Sequence, residues 1–239
     1  RLMWASRLPF GYLDSPRLFC GLTEAIISRC RARAAGLNIR FYVFVDDCLV
    51  VGSDESATRA GMAILEAEFA ALGVQWAPHK KRGPCQCIEF LGLLLANTAE
   101  WSGVTVSRKR YTKLMAELDG WAEREPAKGL LKADPKEVAS TLGKLVFASQ
   151  VVPNGRTYMQ GMLAAFKGLV VDWQRGTVAV AGRSRLPLEL QPSFWRDLSW
   201  WRRHLGSHSF TTFESVVKRP VGELAITGTD ASDWGTGQV

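Results

Sequence analysis

Asp46 and Asp47 are adjacent acids set between Phe41-Tyr42-Val43-Phe44-Val45 and Cys48-Leu49-Val50-Val51. Carboxylates suit hard cations, and Mg²⁺ in particular takes one or two of them together with substrate phosphates. Flanking runs of this composition read as strands, and strands joined this tightly form a hairpin with the acids at or near its bend. The bend matters because successive strand residues point to opposite faces. Two neighbouring acids in mid-strand could not serve one ion, whereas at a turn both can approach it. On the hairpin alone a plain polar turn is the better fit to the pair, since Asp is a common turn residue. By itself it leaves both readings open.

The elements that must position this pair lie on either side. A loop from Leu8 to Pro16 carries Gly11 and two prolines and leads into a helix that Ser15 can cap and Pro16 suits in its first turn. Leu18, Phe19, Leu22, Ile26 and Cys30 then recur at helical spacing until Gly36 ends the run. Beyond the hairpin, Ser53-Asp54-Glu55-Ser56 opens a second helix with Met62, Leu65, Phe69 and Leu72 on one face, closed by Gly73. Helix, hairpin, helix predicts an antiparallel sheet with helices on one face, an α+β layer. A short extended piece follows and ends in Lys80-Lys81-Arg82. Cys87 to Leu95 reads as a further strand, which residues 97–103 can turn back into Val104-Thr105-Val106.

From Ser107 the pattern is helical. Ser107 can cap a helix with Tyr111, Leu114, Met115, Leu118 and Trp121 on one face. Its opening residues Arg108, Lys109 and Arg110 sit badly with the positive end of the helix dipole, a misplacement that an external anion explains better than stability does. Residues 123–132 read as a linker. Asp134-Pro135-Lys136-Glu137 is a capping box for the next helix, Pro153-Asn154-Gly155 breaks it, and Tyr158, Met162 and Phe166 suggest another. Residues 170–192 have no assignable pattern. Ser193 to Leu205 is an amphipathic helix with Phe194, Leu198, Trp201 and Leu205 on one face. Its Trp and Arg residues could stack on bases, although core packing is the better use for them.

The chain has 239 residues, 47% hydrophobic and 22% charged, with a net charge of +7. That is ordinary globular material. No window approaches the ~20 apolar residues of a membrane span, and no secretory signal opens the chain. Both ends read as cut, so the sequence is expected to be a piece of a longer polypeptide. Between Trp76 and Lys113, seven bases face two acids, Glu89 and Glu100. Clustering of this kind is the footprint of phosphate-backbone contact, with a solvated basic face as the plain alternative. The five cysteines are odd in number and mostly embedded in apolar stretches, as buried thiols of a reducing intracellular compartment such as cytoplasm or nucleus would be. His79, His204 and His208 are too scattered to build a metal site.

Four segments in order, LPFGYLDSPRLF (8–19), FVDD (44–47), GVQWAPHK (73–80) and EFLG (89–92), resemble successive motifs of reverse transcriptase palms. The PFG form of the first looks more like retrotransposon enzymes than retroviral ones. The stretch GKLVFASQVVPNGRTYMQGML (143–163) resembles DIRS-like, tyrosine-recombinase elements. TDAS (229–232) resembles the first strand of an RNase H fold, with Asp230 as the first of its metal-binding acids.

The resemblance implies a division into a partial palm (1–106), a helical thumb (107–169), a connecting segment with the Trp-rich helix (170–220) and a truncated RNase H start (221–239). It implies Mg²⁺ or Mn²⁺ held by Asp46 directly and Asp47 secondarily, and Lys80 beside the nucleotide phosphates. Pro9, Phe10, Gly11, Phe44 and Val45 would lie at the template and nucleotide, with Phe90, Leu91 and Gly92 as primer grip. Lys81, Arg82, Arg108, Lys109 and Arg110 would contact the backbone of an RNA or DNA template and its primer, with deoxynucleoside triphosphates as the other substrate. There are departures. Phe44 stands where the family usually has Tyr, Asp14 lies where small residues are usual, and the family's other catalytic acid lies upstream of Arg1. The piece alone is therefore expected to be inactive. Two rival readings are a non-catalytic element remnant that only binds nucleic acid, and a metal-dependent nuclease using Asp46-Asp47 or Asp230.

Overall fold

A computed structural model describes residues 11–74, 80–127, 130–172, 174, 177–180, 188–206, 211–212, 230–232 and 235–237. They divide into two compact units, Arg1–Thr98 with Val106–Arg110, and Ala99–Thr105 with Tyr111–Val239. Helices and small antiparallel sheets mix throughout, as the α+β reading predicts.

In the first unit, helix α1 (Ser15–Arg33) precedes a hairpin of β1 (Ile39–Phe44) and β2 (Asp47–Gly52), and α2 (Glu55–Ala71) follows. α1 starts at Ser15 itself, with Asp14 in the capping position and no side-chain cap, so the expected Ser15 cap is not made. Asp54 does cap α2, accepting the Ala57 N–H at 2.8 Å. Ile26, Ile27 and Cys30 of α1, Ile39 and Phe41 of β1, and Leu65 and Phe69 of α2 close one core. Gly61 is where α2 crosses the hairpin: a Cβ there would come 2.7 Å from Val50 Cγ1 and 2.8 Å from Ile39 Cγ2. The stripe expected on α1 is buried in its second half alone, Leu18 and Leu22 being exposed.

Glu68 shares the buried side of α2 and is 2% exposed. Its carboxylate accepts from Arg29 Nε at 2.5 Å and Arg33 Nη1 at 2.8 Å, one turn apart on α1. These bonds, from Arg33 first and then Arg29, hold the carboxyl below the usual glutamate range against the opposing effect of burial. A carboxyl depressed in the folded state stabilises above its unfolded pKa of about 4.3, and that contribution is lost as pH falls through the lower folded value. Glu68→Gln is therefore expected to be less stable than wild type at pH 7. The gap should narrow as pH drops below about 4, as read by urea unfolding at stepped pH. Parallel pH profiles for the two proteins would show that Glu68 carries none of this dependence.

Still in this unit, Cys87 to Leu95 is not one strand. β3 (Cys87–Phe90) and β4 (Leu93–Asn97) pair antiparallel with Phe90 opposite Leu93, so the chain reverses at Leu91-Gly92. The reason is Gly92, at φ +80°, a conformation glycine takes at no steric cost.

β5 (Ser102–Val106) leads into α3 (Arg108–Glu123), with Val106–Arg110 counted in the first unit, and β6 (Leu131–Ala133) and α4 (Pro135–Ala148) follow in the second. Asp134 caps α4 through the Lys136 N–H at 2.8 Å, while Glu137 turns to Arg124 instead of completing the box. The expected linker thus ends in a strand, which pairs with β9 (Leu188–Leu190) far along the chain. The helix expected around Tyr158 to Phe166 is one turn, α5 (Gln160–Leu163), between two 3₁₀ turns. The stretch without assignable pattern holds a hairpin of β7 (Leu169–Asp172) and β8 (Thr177–Val180), then β9.

Helix α6 (Pro192–Gly206) buries Phe194, Leu198, Trp201 and Leu205 as its spacing predicts. Trp195 and Trp200 are also buried, so the tryptophans pack the core and do not face bases. Asp197, 1% exposed, accepts the Gly161 N–H at 2.6 Å and fastens α5 to α6. No described helix is long and apolar enough to cross a membrane. All five cysteines are free, with Cys30 buried, Cys20 and Cys48 half-buried, and Cys85 and Cys87 exposed, against the expectation of burial.

The remaining strands, β10 (Thr211–Thr212), β11 (Asp230–Ser232) and β12 (Gly235–Gly237), are short.

Candidate functional site

The acid hairpin has a locked face and an open one. Ile39 and Phe41 are buried under the helices and Val43 packs against them, while Arg40, Tyr42 and Phe44 alternate outward. Phe44 opposes Asp47 across a two-residue turn made by Val45 and Asp46. The bend therefore falls one residue before the centre of the acid pair. Asp46 sits in the turn, Asp47 opens β2, and both are exposed. Val45 takes φ +56°, the left-handed region that a β-branched residue rarely adopts, at a cost of about 1–2 kcal/mol. Backbone strain of this kind persists where the surroundings over-determine it. Here the core under the hairpin does so, and the strained residue carries an acid on its C-terminal side.

Cys48, next to the pair, has its thiol pushed up to about 11, by burial first and then by the charge of Asp47, with smaller effects of Cys30 and Asp46. It stays protonated at neutral pH. Two exposed carboxylates at a bend suit a hard divalent cation in donor chemistry. In number they fall short of a full coordination set, and no cluster of three or more His, Cys, Asp or Glu able to hold a metal occurs among the described residues.

Lys80 and Arg82 are exposed. Lys81 forms an ion pair with Glu66, which ties the basic run to α2. Pro9 and Phe10 lie outside the described residues. Gly11 is described, at φ +85° with open space where a side chain would be. Asp230 is described in its backbone alone, in the β11–β12 pair.

Three residues assigned to separate roles meet at the second hairpin. Leu91 at φ +53° and Gly92 at φ +80° make a turn with two left-handed residues, the type I′ geometry of tight hairpins. The Arg110 side chain crosses this turn so closely that a Cβ on Gly92 would lie 1.9 Å from its Nε. The Gly92 carbonyl accepts the Ser107 N–H at 3.1 Å. Phe90 is half-buried beside them, and Arg108, Lys109 and Arg110 are exposed in the first turn of α3.

Sequence reasoning gave Ser107 a cap that it does not make: its hydroxyl is buried with no hydrogen-bond partner. Glu68 it missed altogether, although its place three residues after Leu65 and next to Phe69, on the apolar side of α2, was a usable signal.

Residues 2–95 match the family described as reverse transcriptase (RNA-dependent DNA polymerase). Two solved structures of foamy viral protease–reverse transcriptase are similar in fold. One, the dRH form in complex with double-stranded DNA, is 18% identical with a TM-score of 0.57, and the match covers 83% of this chain and 28% of that one. The other, also with double-stranded DNA, is 18% identical with a TM-score of 0.51, covering 83% and 34%. The chain thus spans about a third or less of the length of these proteins. No curated protein matches the sequence.

Proposed function

We propose, of a chain whose residues 2–95 match the reverse transcriptase family, that it forms part of the nucleotidyl-transfer site of an RNA-directed DNA polymerase. The observation that carries this reading is the acid hairpin: Asp46 and Asp47 stand exposed at a strained bend whose other face is locked into the core. Asp46 and Asp47 would hold divalent metal there, and such ions would supply activation of the attacking hydroxyl and stabilisation of the leaving oxygen. Asp46 is the direct ligand and Asp47 the secondary one, and Mg²⁺ or Mn²⁺ suits their oxygens. Exposed Phe44 and Tyr42 flank the pair on the open face, where a primer–template and an incoming deoxynucleoside triphosphate would lie. Lys80 neutralises the departing phosphate, and the Leu91-Gly92 turn holds the primer. The basic residues grip the backbone, which positions a duplex without reading its sequence.

Two carboxylates are fewer than two ions require, so Asp46 and Asp47 supply part of the site and a further acid would complete it. This piece is inactive by itself, and the parent polypeptide is a retrotransposon enzyme of DIRS-like type acting in a reducing intracellular compartment. Residues 107–169 are its thumb, 170–220 its connection, and 221–239 the start of an RNase H domain with Asp230 as a metal ligand.

The test is Mg²⁺-dependent primer extension on RNA and DNA templates by a polypeptide carrying the residues upstream of Arg1. Extension on both supports the reading. A longer chain that binds primer–template and never extends it would identify a non-catalytic remnant instead. The 239-residue chain is expected to bind duplex weakly, with strong salt dependence.

A further inference from the structure

We infer that the N-terminal end of α3 is a niche for a phosphate oxyanion, with the Ser107 hydroxyl at its base and Arg108, Lys109 and Arg110 around it. The niche deepens the polymerase reading and rests on it for the source of the phosphate, a phosphodiester of a bound nucleic-acid strand.

Two independent misfits converge on this end of the helix. The first is polar. Ser107 immediately precedes Arg108, the first residue of α3, where a serine side chain ordinarily accepts from the N–H groups of the first turn. Its backbone is pinned by the bond to the Gly92 carbonyl, it is 0% exposed, and its Oγ has no partner. A buried hydroxyl left unpaired is rare and costs free energy. The second misfit is electrostatic. α3 has no acid in its first turn, which is occupied by Arg108, Lys109 and Arg110, although the helix dipole disfavours cations at this end.

An oxyanion resolves both. It accepts from the hydroxyl, and both the dipole and the three cations attract it. Several acceptor oxygens with concentrated negative charge match this donor set best, which favours phosphate over a carboxylate. Gly92 contributes by what it lacks, since without a Cβ the Arg110 side chain can cross the turn beside Ser107. Because the hydroxyl is buried in the free chain, binding entails a local side-chain rearrangement that opens it.

Thermal unfolding of the 239-residue chain in inorganic phosphate, against chloride at equal ionic strength, tests the niche. Wild type should rise in Tm saturably, as ligand linkage requires. Ser107→Ala should lose most of that rise while melting no lower than wild type in chloride. Lys109→Gln, which alters an exposed side chain, should also weaken the phosphate effect. A phosphate-dependent rise as large in Ser107→Ala as in wild type would overturn the niche. The second arm is anisotropy with a labelled 16-base-pair DNA duplex at stepped salt. Ser107→Ala should weaken binding several-fold, and Lys109→Gln should reduce the salt slope by about one. Loss of the phosphate effect with unchanged duplex affinity would overturn the strand as its source, in favour of free phosphate. Failure of wild type to bind duplex at any salt would count against the polymerase reading, while the phosphate arm still decides the niche.

Discussion

Asp46→Asn, placed in a polypeptide that supplies the upstream acid, is expected to lower Mg²⁺-dependent primer extension by about a thousand-fold or more. Metal stabilisation of developing charge is worth several kcal/mol, and each 1.36 kcal/mol is tenfold in rate. An asparagine keeps the shape of the turn but replaces a charged oxygen with a neutral amide, so binding of primer–template should change little. Asp47→Asn should lose less. Asp46 lies in the turn itself, whereas Asp47 is the first residue of β2 with its backbone committed to the pair with Phe44. On the proposed assignment of Asp46 as direct ligand and Asp47 as secondary, the two variants differ in kcat, with duplex affinity as the control. Equal losses would mean that the pair acts as a unit, and a larger loss at Asp47 would reverse the assignment. Retention of full activity in Asp46→Asn would remove the hairpin from the chemistry.

The hairpin and its helices were legible because each has one buried face, and burial writes a period into the sequence. Phe41 and Val43 on β1, Leu65 and Phe69 on α2, and the Phe194–Leu198–Trp201–Leu205 stripe of α6 all follow that logic. What periodicity could not give was decided by local backbone geometry. Placing the bend at Val45-Asp46 requires a left-handed valine, which composition argues against, since Asp is the better turn former. Leu91-Gly92 reverses the chain inside an apolar run that otherwise reads as one strand. α1 departs from its pattern differently: Leu18 and Leu22 fit the helical stripe yet are exposed, because amphipathic spacing says which residues share a side and not how far the partner surface extends.

Polar burial was the hardest to foresee. Glu68 and Ser107 both lie in interiors, one satisfied by two arginines distant in sequence and one not satisfied at all. For the acid pair, residue types predicted a bend at or near Asp46-Asp47, and the turn falls at Val45-Asp46 with both acids exposed. Pro9 and Phe10 lie outside the described residues.

Trp201→Ala should destabilise the second unit by about 3–5 kcal/mol, the range for removing a large buried aromatic. Trp201 is 0% exposed, donates from Nε1 to the Tyr158 carbonyl at 3.0 Å, and meets Trp200 edge-on at 5.5 Å. The backbone at Gly155 approaches its ring so closely that a Cβ there would lie 2.7 Å from Cη2. One side chain thus joins α6 to the turn after α4 and to the 3₁₀ segment before α5. Its removal opens a cavity that these rigidly paired neighbours cannot fill. Against total stabilities of about 5–15 kcal/mol, this loss is a large share, visible as a lower urea midpoint with the slope nearly unchanged.

Trp201→Phe refines the claim. It keeps much of the apolar area and loses the indole N–H, leaving the Tyr158 carbonyl without that donor, so an intermediate loss is expected. A loss below about 0.5 kcal/mol for the alanine variant, the ordinary surface range, would mean that α6 docks through Phe194 and Leu198, with the Asp197 bond to Gly161 fastening α5. Losses equal for alanine and phenylalanine would assign the effect to the hydrogen bond, and a graded series would assign it to packing.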